Sequence, residues 1–292
     1  MRLGDPERAD TRAGLAGIGV VPERLTPCTS FHATHWTFPL RTTGQPLVGT
    51  GTEARLEGVA VPLLLVHSPL VGPATWDALA EVVRKRRRQV FIPDLTGSLT
   101  LGPPYWSRQV DAIAASSDGR PAILVAHSGA GPLMAAASGV LEQVVGYVFV
   151  DASLPFPGRS WVQTAPPELV RQLRTMERGG WLPPWSEWWG DDGLAELLPD
   201  PHMRASFAGS CPQLPMAMFE EIQPPAPGWP DAPCAYLRLS DTYEEPADQA
   251  RELGWLVNEV PSHHLGLLTN AERICDPLLD LVDKLIADDS AR

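Results

Sequence analysis

The stretch that decides the fold is Leu124-Val125-Ala126-His127-Ser128-Gly129-Ala130-Gly131-Pro132-Leu133. An apolar run leads into Ser128 and small residues follow it, a pattern typical of a buried strand that turns sharply into a helix. Such a turn leaves room only for small residues two positions away, and Ala126 and Ala130 meet that requirement. A serine in this context can also be a simple helix N-cap. Because the turn presents a serine hydroxyl at the end of the strand, we predict that Ser128 is a catalytic nucleophile.

The chain around this stretch alternates between strand and helix patterns. Six short, largely apolar runs are predicted as strands: Val59–Val66, Gln89–Ile92, Ala122–Ala126, Val144–Val150, Ala235–Leu239 and Leu256–Val260. The helical patterns are Thr75–Arg88, Trp106–Ser117, Gly131–Val140, Pro246–Leu253 and Ala271–Ala287. Runs that are apolar on both faces are typical of a parallel sheet covered by helices. The sequence therefore predicts an α/β fold with a mostly parallel central sheet flanked by helices, built from residues 58–154 and 233–292.

Two segments depart from this alternation. Residues 155–232 lack a convincing strand pattern, are dense in proline, and hold five of the ten tryptophans between Trp161 and Trp189 alone. We predict that this segment is an inserted helical cap over the carboxyl edge of the sheet, where open α/β sheets bind their ligands. Within it, Trp185 or Trp188 is expected to face Ser128 and line the substrate pocket, because Pro183-Pro184 stiffens the chain just before them. Residues 1–57 are weakly patterned and are interpreted as an N-terminal arm or an edge hairpin.

Composition and charge narrow the class of partner. The chain has 23 basic and 35 acidic residues, a net charge of −12, which argues against nucleic acid or an anionic membrane as a partner. No apolar stretch approaches the roughly 18 residues that a membrane span needs. The four cysteines fit no metal-binding spacing, so neither a metal nor a cofactor is expected. The first residues are too acidic for a secretory signal, and we expect a cytoplasmic protein with a small-molecule substrate. The oligomeric state is left open.

A serine nucleophile needs a base to take its proton and a carboxylate to orient that base. His264 is the preferred base because an apolar stretch follows it and would anchor its loop, and the adjacent His263 is the alternative. Asp241 is the preferred acid, because it follows the strand nearest in sequence to the His264 loop. Asp151 ends the run Val144–Val150 and is an alternative acid.

The chain order Ser128, Asp241, His264 resembles that of the α/β-hydrolase superfamily, and the resemblance extends from about residue 59 to residue 287. Three further segments are similar to parts of that family. The family's strand and oxyanion loop are matched by Leu64-Leu65-Val66-His67-Ser68-Pro69, and its next strand and loop by Phe91-Ile92-Pro93-Asp94-Leu95-Thr96-Gly97. Its histidine loop is matched by Ser262-His263-His264-Leu265. The resemblance implies a serine nucleophile, a histidine base, an acid and an oxyanion hole of two backbone amides, without a metal. Where the family usually has glycine around the nucleophile, this chain has Ala126 and Ala130.

The oxyanion loop departs from the family pattern. The resemblance assigns one donor to the backbone N–H of Gly129, and the other to the residue after a His-Gly pair. Here the pair is His67-Ser68, and the next residue is Pro69, which has no N–H. The oxyanion hole is therefore either incomplete or completed by the hydroxyl or amide of Ser68. His67, at the end of its strand, is expected to line the substrate pocket.

Three functions are compatible with these residues. The preferred one is a serine hydrolase that acts on a small apolar ester, lactone or thioester through an acyl-serine intermediate. The alternative is a non-hydrolytic enzyme on the same scaffold, such as a lyase, cyclase or acyltransferase of specialised metabolism, in which His264 moves a proton and Pro69 marks an abandoned donor. A ligand-binding receptor is disfavoured, because binding alone does not need a serine, a histidine and an acid together.

Overall fold

The computed structural model describes residues 61–141 and 143–290, so the predicted N-terminal arm at residues 1–57 lies outside the described residues. The strands are β1 (Leu63–Val66), β2 (Val90–Phe91), β3 (Ala122–Ser128), β4 (Val144–Ala152), β5 (Trp181–Leu182), β6 (Leu214–Pro215), β7 (Cys234–Arg238) and β8 (Leu256–Glu259). Six of them form one sheet in the order β2-β1-β3-β4-β7-β8, and every neighbouring pair in it is parallel. The carboxyl ends of all six strands therefore meet at one edge.

Helices connect the strands and cover the sheet. Those in the described part of the chain are α1 (Asp77–Lys85), α2 (Thr96–Leu99), α3 (Tyr105–Ser117), α4 (Leu133–Ala137), α5 (Trp161–Thr164), α6 (Pro167–Met176), α7 (Gly190–Leu197), α8 (Pro201–Ser210), α9 (Met216–Glu220), α10 (Glu244–Glu252), α11 (Gly266–Thr269) and α12 (Ala271–Ser290). Short 3-10 turns occur at Pro73–Trp76, Trp185–Glu187 and Asp241–Tyr243. Within residues 61–141 and 143–290, no helix is both long and apolar enough to cross a membrane.

The core lies on both faces of the large sheet, because successive residues of each strand point to opposite faces. On one face, Leu63 and Leu65 of β1 pack in a cluster with α1 and α12. On the other face, Leu64 and Val66 pack in a cluster with α3, α4 and α10. All four leucine and valine side chains are fully buried, which is why the strand sequences are continuously apolar and not alternating.

The chain between β4 and β7 contains residues 155–232, called here the insertion. It carries the five helices α5–α9 and, contrary to the sequence prediction, a two-stranded antiparallel sheet of β5 and β6. Proline at both ends of this short pairing hides it from a sequence pattern, since Pro183 follows β5 and Pro215 ends β6. In one cluster of the insertion, Trp185 and Phe207 pack against Val71, which follows β1, and Leu265, which follows His264. The insertion therefore contacts loops at the carboxyl edge of the sheet.

The predicted α/β fold is confirmed. Each of the six predicted runs overlaps a strand of the parallel sheet, although the first residues of Val59–Val66 lie outside the described residues. The predicted helix Thr75–Arg88 is shorter in the structure, because α1 ends at Lys85 and Arg87 adopts a left-handed φ of 61° that closes the turn into β2.

Candidate active site

Ser128 ends β3 in a strained turn. Its φ is 59°, in the left-handed region that a residue with a side chain rarely adopts. The turn is closed by two backbone hydrogen bonds, from Ala130 N–H to the His127 carbonyl at 3.0 Å and from Gly131 N–H to the Ser128 carbonyl at 3.3 Å. Strain of this kind costs about 1–3 kcal/mol and persists mainly at functional sites. The turn directs the Ser128 side chain away from the strand and into the carboxyl edge of the sheet.

Glycine at position 131 lets the start of the following helical segment lie against the end of β4. A methyl group built on Gly131 would stand 1.8 Å from the Ser153 carbonyl oxygen, far inside van der Waals contact. In addition, the Ser153 N–H donates to the Ser128 carbonyl at 3.1 Å. The nucleophile turn and the end of β4 are therefore fixed against each other.

His264 lies beside Ser128 and is held by the loop that precedes α11. Its Nε2 is 2.9 Å from Ser128 Oγ, and its Nδ1 is 3.1 Å from Asp151 Oδ2. Leu265, which follows it, is buried against the insertion, and the ring of His264 is itself buried. His263, the alternative base, points elsewhere and is hydrogen bonded through Nε2 to the Thr269 hydroxyl at 2.8 Å.

Asp151 occupies a bulge near the end of β4. His127 pairs with Val150 and Ser128 with Ala152, so Asp151 is the extra residue in β4, and its φ is 44°. Its Oδ1 accepts hydrogen bonds from the backbone N–H groups of Leu239 at 2.7 Å and Ser240 at 3.0 Å, both just past β7.

The remaining oxygen of Asp151 completes the network. Its Oδ2 accepts a hydrogen bond from the Ser240 hydroxyl at 2.6 Å and lies beside His264 Nδ1. Burial alone would raise the pKa of Asp151, but the hydrogen bonds from His264, Ser240 and Leu239 outweigh it and lower that pKa. Asp151 is therefore a fully buried carboxylate that stays ionised.

The preference for Asp241 over Asp151 as the carboxylate beside His264 is wrong. The Asp241 side chain is 94 % exposed and forms an ion pair with Arg238 at 2.9 Å. The chain leaves β7 through the 3-10 turn Asp241–Tyr243, and this turn directs the carboxylate of Asp241 into solvent. Its neighbour Ser240 points inward instead and supports Asp151.

The expectation that His67 lines the substrate pocket is also wrong. The ring is fully buried, and the Leu95 N–H donates to its Nε2 at 3.0 Å. The ring proton is therefore on Nδ1, which donates to the Ser68 carbonyl at 2.8 Å. Burial lowers the pKa of His67, so the ring remains neutral. The hydrogen bond from Leu95 ties the loop after β1 to the loop after β2, and the one to Ser68 fixes the ring within the first of these loops.

Ser68 and Gly129 face each other across the site. A methyl group built on Gly129 would stand 2.8 Å from Ser68 Oγ and 3.9 Å from a methyl group of Leu70. The Ser68 oxygen accepts a hydrogen bond from the Leu70 N–H at 3.2 Å. In the described part of the chain, no acceptor is paired with the Gly129 N–H or with the Ser68 hydroxyl proton. Both groups are therefore available as donors beside the nucleophile.

Two aromatic rings that the sequence analysis did not assign stack against the imidazole of His264. The ring of Tyr243 stacks on one face, with centroids 4.9 Å apart and planes 10° apart. The ring of His127 stacks against the imidazole too, at 4.6 Å and 27°. The Tyr243 hydroxyl oxygen is also 3.4 Å from Ser128 Oγ. Tyr243 follows Asp241 by two residues, so a search of every polar residue just past β7 would have included it.

His127 is neutral in this arrangement. It is buried, and its Nε2 lies 3.0 Å from the carbonyl oxygen of His264, which can only accept, so Nε2 carries the proton. Burial, with a contribution from the nearby imidazole of His264, lowers the pKa of His127 to about 3. A neutral ring next to His264 adds no positive charge that would oppose protonation of His264.

The two tryptophans expected near the substrate lie in the insertion. Trp185 is buried and contacts the rings of Trp189 and Phe207. Trp188 is half-buried, donates its indole N–H to the Pro183 carbonyl at 2.9 Å, and belongs to both apolar clusters of the insertion. Leu70 packs against the same two clusters. Trp188 is therefore linked to the nucleophile side of the site through Leu70, while a role for either tryptophan in substrate binding stays a prediction.

Residues 63–276 match the sequence model of the alpha/beta hydrolase family. The chain belongs to the alpha/beta hydrolase family. Among curated protein sequences, none matches the chain. The parallel sheet of this alpha/beta hydrolase presents Ser128 at its carboxyl edge, where His264 lies beside it. Among the described residues, no three histidine, cysteine or acidic side chains are grouped to hold a metal ion.

Solved structures of other alpha/beta hydrolases share the fold at low sequence identity. An extracellular alpha/beta-hydrolase from a Paenibacillus species is 19% identical, with a TM-score of 0.62 over 76% of this chain and 98% of that one. A pyrethroid hydrolase from Sphingobium faniae is 20% identical, with a TM-score of 0.56 over 77% and 98%. Tomato methylketone synthase I is 14% identical, with a TM-score of 0.59 over 78% and 99%.

Proposed function

We propose that this protein is a serine hydrolase that cleaves a small apolar ester, lactone or thioester through an acyl-Ser128 intermediate. The observation that carries the proposal is the continuous chain of hydrogen bonds from Ser128 Oγ through His264 to Asp151, at 2.9 Å and 3.1 Å. These distances are within the range at which a base takes a proton from a nucleophile and a carboxylate orients that base. Binding or structural roles do not require this order of groups.

The hydrogen bonds define the direction of proton movement. A carboxylate can only accept, so the proton of His264 is on Nδ1 and Nε2 accepts the Ser128 proton. In acylation, a bond forms between Ser128 Oγ and the acyl carbon, and the Oγ proton moves to Nε2. As the bond from the acyl carbon to the alcohol oxygen breaks, Nε2 returns that proton to the leaving oxygen. Water then attacks the acyl carbon by the same route and restores the Ser128 hydroxyl.

The protonated imidazole of His264 has two sources of stabilisation. The ionised Asp151 accepts its Nδ1–H, and the ring of Tyr243 stacks on the imidazole. A cation over an aromatic face gains about 0.5–2 kcal/mol, with the larger values at sites removed from water. The arrangement therefore favours the charge that develops in each transition state.

The oxyanion of the tetrahedral intermediate needs donors that point to it. Under the proposal, the Gly129 N–H is one donor and the Ser68 hydroxyl is the other, in place of the amide that Pro69 cannot provide. Support comes from the Ser68 oxygen, which stands 2.8 Å from the position of a methyl group on Gly129 and receives the Leu70 N–H. Accepting that hydrogen bond leaves the Ser68 proton free to be donated.

Ser68→Ala is expected to lower kcat for ester hydrolysis by about 10²–10³-fold, because one oxyanion donor is lost. The change is measured by steady-state kinetics on a 4-nitrophenyl ester. Ser98→Ala is the matched control, since the Ser98 hydroxyl is buried near the same loops but donates to the Leu95 carbonyl. An unchanged kcat in Ser68→Ala would show that a backbone amide, such as Leu70 N–H released from Ser68, completes the oxyanion hole.

The proposed substrate class follows from the surroundings of the nucleophile. Leu70 lies next to Gly129, and the insertion places Trp188 in the apolar clusters that contact Leu70. An apolar wall on this side favours an apolar acyl or alcohol part. The insertion acts under this proposal as a cap over the site. The fold relationship to a pyrethroid hydrolase is compatible with such a substrate.

Covalent labelling separates hydrolysis through an acyl-serine from the alternatives. We expect a fluorophosphonate probe to label the protein once, on Ser128, as located by peptide mass spectrometry, and a 4-nitrophenyl ester to give a burst of one equivalent of 4-nitrophenol. Heat-denatured protein is the control for non-specific labelling. Turnover of a substrate without a burst or labelling would favour the lyase, cyclase or acyltransferase alternative, and labelling of another serine would contradict the site.

A further inference from the structure

Tyr243 contacts a reacting atom of the proposed hydrolase. Its hydroxyl oxygen is 3.4 Å from Ser128 Oγ, and its ring lies parallel to the imidazole of His264. It is the last residue of the 3-10 turn Asp241–Tyr243, directly after the segment whose Ser240 supports Asp151. One turn of chain therefore reaches the acid, the base and the nucleophile.

The direction of the hydrogen bond between Tyr243 and Ser128 follows from the protons already assigned. The Ser128 proton is donated to His264 Nε2, so Ser128 Oγ can only accept from the phenol. Burial raises the pKa of Tyr243, the hydrogen bond with Ser128 acts in the opposite direction, and the charge of Asp151 raises it further. The phenol therefore keeps its proton near neutral pH and is a hydrogen-bond donor.

We propose that Tyr243 is a further catalytic residue that donates a hydrogen bond to the oxygen leaving the acyl carbon. The proposal rests on the proposed hydrolysis. When Ser128 Oγ is bonded to the acyl carbon, the leaving oxygen must approach His264 Nε2 to be protonated. Nε2 and the phenol oxygen lie 2.9 Å and 3.4 Å from the same Oγ, so an oxygen bonded to the acyl carbon is within reach of both.

The phenol proton does not transfer in this step. The bond from the acyl carbon to the leaving oxygen breaks, and the proton that this oxygen gains is the one that Nε2 took from Ser128. The phenol only shares its hydrogen with the oxygen while negative charge builds up there. In deacylation, the attacking water occupies the same place and the phenol orients it.

A donor at this position matters most for poor leaving groups. An alkoxide leaving from an alkyl ester or a lactone concentrates negative charge on its oxygen, whereas 4-nitrophenolate spreads its charge over the ring. Preorganised donors stabilise charge in proportion to how much develops at the atom they face. Tyr243 therefore adapts the site to esters of alkyl alcohols and to lactones, rather than to activated aryl esters.

Tyr243→Phe separates the hydroxyl from the ring, because phenylalanine preserves the stack on His264. We expect Tyr243→Phe to lower kcat/KM for a methyl or ethyl ester by about 10²-fold, comparable with the loss of one preorganised donor. For the 4-nitrophenyl ester of the same acid, we expect kcat/KM to fall by only about tenfold. The dependence of rate on the pKa of the leaving alcohol thus becomes steeper. The measurement is kcat/KM over a series of leaving alcohols with one acyl group.

Tyr147→Phe is the matched control. The Tyr147 hydroxyl bonds to Asp231 at 2.9 Å, and the pairing of Tyr147 with Cys234 places it at the amino-terminal end of β7, away from the catalytic edge. Tyr147→Phe removes one buried phenol hydroxyl and should not change how kcat/KM depends on the pKa of the leaving alcohol. Tyr243→Leu also removes the ring and should add a loss that is the same for every ester, since His264 loses a stacking partner.

Fluorophosphonate labelling distinguishes the possible failures. If wild type is not labelled on Ser128, the proposed hydrolysis fails and the role of Tyr243 fails with it. If wild type and Tyr243→Phe are both labelled, the variant is folded and the hydrolase mechanism stands. An equal loss for all esters, or no loss, would then overturn the role of Tyr243 in leaving-group stabilisation alone.

Discussion

Replacing Asp151 with asparagine is expected to lower kcat for ester hydrolysis by about 10⁴-fold. The physical reason is the tautomer of His264. The buried carboxylate holds the imidazole proton on Nδ1, whereas an asparagine amide can donate to Nδ1 and move that proton to Nε2. A protonated Nε2 cannot accept the Ser128 proton. The variant is compared with wild type by steady-state kinetics on a 4-nitrophenyl ester, and its thermal unfolding is followed to confirm that it is folded.

Asp241→Asn is the matched control for this variant. Both changes remove one carboxylate at the carboxyl end of a strand of the sheet, but Asp241 is 94 % exposed and its carboxylate pairs with Arg238. A surface ion pair of this kind contributes about 0–1 kcal/mol, so kcat should stay near the wild-type value. A large loss in Asp241→Asn together with a small loss in Asp151→Asn would reverse the assignment of the acid.

Ser128→Ala is expected to reduce kcat by about 10⁶-fold, because loss of the nucleophile costs about as much as loss of the whole triad. Fluorophosphonate labelling should disappear at the same time. The thermal midpoint should change by no more than about 4 °C, since a loss of about 1 kcal/mol shifts a domain of this size by that amount or less. Kinetics, labelling and thermal unfolding are measured on the same preparation.

Ser116→Ala supplies the comparison for removal of a serine hydroxyl. The Ser116 hydroxyl donates to the Ala112 carbonyl within α3 and is not hydrogen bonded to any group of the site. This variant should keep full labelling and full kcat. Hydrolysis that survives in Ser128→Ala at more than about 10⁻³ of the wild-type rate would mean that the main reaction does not pass through an acyl-Ser128 intermediate.

The fold was predictable because the physical requirement for it repeats along the chain. Each strand of a parallel sheet covered on both faces must be apolar at successive positions, and runs such as Leu63–Val66 and Val144–Val150 meet that requirement. The short pairing of β5 with β6 has no such run. It consists of Trp181–Leu182 and Leu214–Pro215, which is too few residues for any periodicity.

The site was predictable only where the chemistry is local in sequence. Ser128 has a strand before it and small residues after it, so one short stretch of sequence is enough to predict the nucleophile turn. No single stretch of sequence decides between Asp151 and Asp241, because both lie near the carboxyl ends of strands that meet at the same edge. The choice is decided by the bulge in β4, which turns the Asp151 carboxylate toward β7 and leaves Asp241 outside.

The sequence analysis missed the role of Tyr243 and assigned a wrong one to His67, and both errors concern packing between loops. Tyr243 is 115 residues from Ser128 in sequence, and no spacing rule links a tyrosine after one strand to a serine after another. His67 has the position of a pocket residue, but hydrogen bonds with Leu95 and Ser68 occupy its ring. Whether such a ring faces a ligand or the backbone depends on packing between loops, which sequence patterns do not encode.

The bulge in β4 that places Asp151 beside His264 also means that the segment after β7 need not supply the carboxylate. Ser128 and Asp151 lie on adjacent paired strands, so the distance between nucleophile and acid is fixed by the sheet itself. The segment after β7 needs only Ser240 and two backbone N–H groups to hold Asp151. Positions 241–243 are thereby released from the triad. Tyr243, in this turn, is the natural place to redesign substrate preference, because its side chain reaches a reacting atom without carrying the proton relay.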